Sequence, residues 1–124
     1  MENEIYYVAD VFDRARLQTY KTEAQIIKAS ERVTKIMKTA LARIWAGQPQ
    51  RQTLKDMALI RACKLTLRRL STLAPSSPEV QKDLEVSEIL EDMTEKSVSE
   101  RILSQVNEWI SQNLHWFPEE DELF

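Results

Sequence analysis

The chain has 124 residues, 43% of them hydrophobic and 30% charged, with a net charge of −3, one cysteine, one histidine and one glycine. That length favours one domain whose core needs no metal or disulfide, and no apolar run approaches the ~18 residues of a membrane span. The lone Cys63 excludes an intrachain disulfide, and the acidic start MENEIYYVAD has neither the basic nor the long apolar region of a secretory signal, so an intracellular protein, cytoplasmic or nucleic-acid-associated, is expected.

Gly47, Pro49, Pro75, Pro78 and Pro118 break the chain, and the stretches between them read as helices. In residues 4–18, Ile5, Val8, Phe12 and Ala15 recur at helical intervals, although IYYV alone is compatible with a strand. Thr22 opens TEAQ, a capping box, and Ile26, Ala29, Val33, Ile36, Ala40 and Ile44 keep the period as far as Trp45, where Gly47 and Pro49 stop it. Thr53 is expected to cap the third segment. Its two apolar stripes, Leu59–Cys63–Leu67–Leu70 and Leu54–Ala58–Ala62–Leu65, suit a central helix. SSPE restarts a helix with Ser77 as cap and Pro78 at its first position, and Val86, Ile89, Leu90 and Met93 should face the core. Ser97 opens SVSE, a second capping box, before Ile102, Leu103, Val106, Trp109, Ile110, Leu114 and Phe117. The expected fold is all-α: a single-domain bundle of about five helices with short connections over residues 1–117, then a short acidic tail over 118–124.

Charge is segregated along this bundle. Residues 1–13 carry four acids and no base; residues 14–69 carry fourteen bases against three acids, a net of +11; residues 70–124 carry three bases against thirteen acids, a net of −10. At ~100° per residue, Lys21, Lys28, Arg32, Lys35 and Arg43 fall within roughly 80° of one another and form a stripe about 33 Å long, near one turn of a nucleic-acid duplex. Arg61, Lys64 and Arg68 make a second basic stripe, and Glu88, Glu91, Asp92 and Glu95 an acidic counterpart. Like charges at i,i+3 and i,i+4 cost a few tenths of a kcal/mol per pair, so an uncompensated stripe invites a counterpart. That counterpart is the acidic half of the same chain, the acidic half of a second copy in a homodimer, or a phosphate backbone.

No catalytic or cofactor signature accompanies this charge. His115 reads as a helix-end histidine with no second ligand nearby, Cys63 as a core thiol on an apolar stripe, and Gly47 as a helix stop that leaves no phosphate loop. Catalytic residues, metal ligands and cofactors are all expected to be none. Trp45 and Trp116 stand off the centres of their apolar faces and are candidate binding anchors. The last residues, PEEDELF, resemble over about seven positions the acidic, phenylalanine-ended C-terminal peptides with which bacterial and phage single-stranded-DNA-binding proteins dock partner proteins. Leu123 stands where the bacterial pattern has proline, and no OB-fold pattern precedes it. The resemblance implies a docking role for Leu123 and Phe124.

The expected function is therefore a non-enzymatic protein–protein interaction module, an accessory or regulatory subunit of a nucleic-acid machine, with a protein partner and no membrane. One alternative is direct nucleic-acid binding through the basic face of residues 21–69, with the acidic tail competing for that face. A second is an acidic nucleic-acid mimic acting through residues 79–95.

Overall fold

The computed structural model describes residues 2–113, which form five α-helices and no strand: α1 (Glu2–Leu17), α2 (Glu23–Trp45), α3 (Gln50–Leu73), α4 (Pro78–Ser97) and α5 (Glu100–Asn113). The IYYV stretch is helical, and Val8 within it is fully buried. Gln18, at φ 57°, takes the left-handed turn that ends α1, with Thr19 N–H donating back to the Arg14 carbonyl at 3.0 Å.

At the start of α2 the capping box forms as expected: Gln25 N–H donates to Thr22 Oγ1 at 3.3 Å, and Thr22 N–H donates to Gln25 Oε1 at 3.4 Å. Gly47, at φ 80°, makes the turn after α2 in a region that a side chain would strain. Two expected caps move. Thr53 lies inside the first turn of α3, its hydroxyl donating to the Pro49 carbonyl at 3.4 Å, because Pro49 itself collects the first-turn N–H groups of Gln52 and Thr53. Ser97 is the last residue of α4, and Ser99 caps α5 by accepting Ile102 N–H at 3.3 Å. The extended link between these helices falls at Val98, whose side chain packs under α5.

α3 is the central helix, touching the other four, while α2 also packs on α4. Both apolar stripes of α3 are used. Ile60, Cys63, Leu67 and Leu70 meet Val8, Phe12 and Ala15 of α1 and Val33, Met37 and Ala40 of α2. A second, smaller cluster joins Met57 and Ala58 of α3 to Ile102, Leu103 and Val106 of α5.

The orientation of α4 departs from expectation. Of the four residues expected in the core, only Leu90 packs against it; Ile89 is 59% and Met93 43% exposed, and Val86 is half-buried. The buried positions are instead Val80, Ser87, Glu91 and Thr94, a face turned by roughly 130° from the apolar one. The reason lies across the interface: α3 presents Arg61, Lys64 and Arg68 to α4, and burying Ile89 and Met93 there would strand those cations against an apolar surface.

Candidate functional site

The expected binding residues divide by what meets them in the fold. Arg61, Lys64 and Arg68 pair across the α3–α4 seam. Arg61 Nη2 lies 3.2 Å from Glu95 Oε1, Lys64 Nζ 2.8 Å from Glu91 Oε1, and Arg68 Nε 3.8 Å from Glu88 Oε1. The three pairs climb α3 as they descend α4, one turn at a time, which sets the antiparallel register of the two helices. Ser30 Oγ donates to Asp83 Oδ2 at 2.8 Å and ties α2 to the same helix. The second basic stripe and most of the acidic face are thus each other's counterpart within one chain. Asp92 stays on the outer surface, paired with Lys96 at 2.9 Å.

Lys64 and Glu91 are the buried members of this seam. Burial pushes the Glu91 carboxyl above the usual carboxylate range, while the hydrogen bond from Lys64 pulls the other way. Its second oxygen, Oε2, is buried without a hydrogen-bond partner.

Arg43 also leaves the basic face. Its guanidinium turns inward to Asp56, with Nη2 at 2.7 Å from Oδ1 and Nε at 3.1 Å from Oδ2, and Nη2 also reaches Glu4 Oε1 at 3.1 Å. Gln48 Nε2 donates to the same Asp56 at 2.8 Å. The hydrogen bonds that Arg43 donates to Asp56 hold it still more firmly in its charged form, against the opposing effect of burial.

Lys28, Arg32 and Lys35 remain exposed on the outer side of α2, and Lys21 is exposed in the loop before it. Arg32 is braced, its guanidinium 4.1 Å from the centroid of the Tyr7 ring on α1. Helical periodicity within α2 carried no sign of Tyr7, Asp56 or Glu4, because all three arrive from other segments. Trp45 ends α2 with 56% of its surface exposed. Cys63 is fully buried in the core, and burial pushes its thiol far above the usual range. His115, Trp116, Leu123, Phe124 and the acidic tail lie outside the described residues.

An open hollow of about 380 Å³ lies between the start of α2 and the α3–α4 turn, lined by residues that include Tyr20, Lys21, Glu23, Leu73 and Pro75, without histidine or cysteine. Among the described residues no helix is long and apolar enough to cross a membrane.

The outward face of α4 carries two of the five large hydrophobic side chains exposed among the described residues. Val86, Ile89 and Met93 follow one another at helical spacing, with Lys82 and Lys96 beyond the two ends and Glu85 and Asp92 along one flank. Side chains that a helix ordinarily turns inward are here presented to solvent. No family model, curated protein or solved structure matches the chain.

Proposed function

We propose that the chain is a non-enzymatic protein-interaction module that docks through the outward face of α4. The observation that carries this reading is the exposed Ile89–Met93 pair on a helix whose buried positions include the polar Ser87, Glu91 and Thr94. Burying two such side chains contributes about 1.5–3 kcal/mol each. The partly exposed Arg61–Glu95 and Arg68–Glu88 pairs return about 0.2–1 kcal/mol each, and the buried Lys64–Glu91 pair is close to break-even. The isolated chain therefore forgoes stabilisation that a covering partner restores. An accessory subunit, whose surface is completed by what it joins, fits that balance. A photo-crosslinking residue placed at position 89 or 93 should give a discrete protein adduct in cells, and one at Lys38 on the far side of α2 should not. Absence of an adduct from both α4 positions would contradict the reading.

A second reading is favoured by Arg32, which Tyr7 holds beside Lys28 and Lys35 with none of the three ion-paired among the described residues. Such a row suits a phosphate backbone, and residues 118–124 would compete with it. The intact chain and a variant lacking those residues, titrated with DNA and RNA at low salt, test it. A steep salt slope in the shortened chain supports nucleic-acid contact, and failure of both to bind ends it. The mimic reading of residues 79–95 gains nothing comparable, because Glu88, Glu91 and Glu95 are turned to α3.

A further inference from the structure

We propose that the occupant of the α4 face is a second copy of this chain, its α4 lying antiparallel to the first; the proposal rests on the docking reading above and names its partner. A two-fold contact requires a face that is complementary to itself. When two α4 helices overlap over their whole length, Pro78 of one faces Ser97 of the other, so facing residue numbers sum to 175. In that register Val86 meets Ile89 of the second copy, and Met93 lies over the aliphatic stem of its Lys82. Charges fall into place at the same time: Lys82 reaches Asp92 of the second copy, and Lys96 faces its Glu79. Each of these contacts occurs twice.

The pairing costs little of what the chain already has. Lys96 must loosen its bond to Asp92, but both side chains are largely exposed, at 76% and 62%, and such surface pairs contribute little. The seam between α3 and α4 is untouched, since Glu88, Glu91 and Glu95 point the other way. Two helices of about 30 Å bury less than the roughly 800 Å² per partner of a standard interface, so the dimer is a reversible one.

Sedimentation velocity of the full chain between about 5 and 500 μM tests the proposal. The sedimentation coefficient should move from monomer to dimer across that range. Ile89→Asp and Lys82→Asp should each remain monomeric with unchanged helical circular dichroism, and Lys82→Asp combined with Asp92→Lys should regain the dimer. A chain that stays monomeric throughout, a dimer that survives Ile89→Asp, or a charge swap that restores nothing would overturn it. A photo-adduct from position 89 with a different protein, on a chain monomeric in the centrifuge, would overturn the second copy while leaving the docking reading intact.

Discussion

Lys64 Nζ lies 2.8 Å from Glu91 Oε1, with both side chains nearly buried between α3 and α4. Removing one partner breaks a largely buried ion pair, which costs up to about 3–5 kcal/mol, whereas replacing both by apolar residues of similar volume is neutral or stabilising by about 1–4 kcal/mol. Lys64→Met and Glu91→Leu should each lower the midpoint of urea unfolding. The double variant should match or exceed the unmodified chain, and a double variant as unstable as the sum of the singles would refute the pair's place in the seam.

The same carboxyl sets a pH dependence. Its pKa in the fold is raised by burial. A group raised in the folded state binds its proton more tightly there than in the unfolded chain. Its contribution is therefore fully present below the ordinary carboxylate pKa and is lost as pH rises through the folded value. Compared with Glu91→Gln, the unmodified chain should gain relative stability as pH falls through that window. Parallel stability–pH curves for the two would show that Glu91 is not desolvated.

Arg43 and Asp56 join the end of α2 to the start of α3 through two short hydrogen bonds, with Asp56 almost wholly buried. Asp56→Ala should cost about 1.5–3 kcal/mol, since it removes the charged acceptor of Arg43 and of Gln48 while Glu4 stays beside the guanidinium. Arg32→Ala, by contrast, gives up an exposed guanidinium stacked on Tyr7 and should cost about 0.5–1 kcal/mol. Chemical denaturation of the two variants measures the difference; equal losses would mean that Arg43 belongs to the surface row after all.

Gly47 sits at φ 80° with open space where a Cβ would be, so the strain of a side chain there is backbone strain alone. Gly47→Ala should lower stability by about 1 kcal/mol, and Gly47→Asn, which tolerates the left-handed region better, by less. Equal losses for the two would point to a steric cause instead.

These contrasts mark where the sequence could be read and where it could not. The helices, the Thr22–Gln25 box and the Ser77–Pro78 start were legible because each depends on residues a few positions apart. So was the centrality of α3, whose two apolar stripes need two neighbours. The face of α4 was not legible: Val86, Ile89 and Met93 have the spacing of a core stripe, and only the bases that α3 sets opposite Glu88, Glu91 and Glu95 turn them outward. Arg43 was misassigned for a related reason, since its angle on α2 agrees with Lys28 and Lys35 while Asp56 arrives from beyond the Gly47 turn. Local periodicity identifies a face; the charges on the neighbouring helix decide where that face points.

The docking reading and the proposed dimer both depend on the outward orientation of α4, which thiol labelling measures directly. Cys63 is fully buried and silent in the folded chain, so a cysteine introduced at Ile89 or at Ser87 reports alone. At low micromolar protein, Ile89→Cys should label at close to the rate of a free thiol and slow as the concentration rises, while Ser87→Cys, in a fully buried position, should label only on unfolding. Protection at position 89 with fast labelling at position 87 would place the apolar stripe in the core and contradict the account.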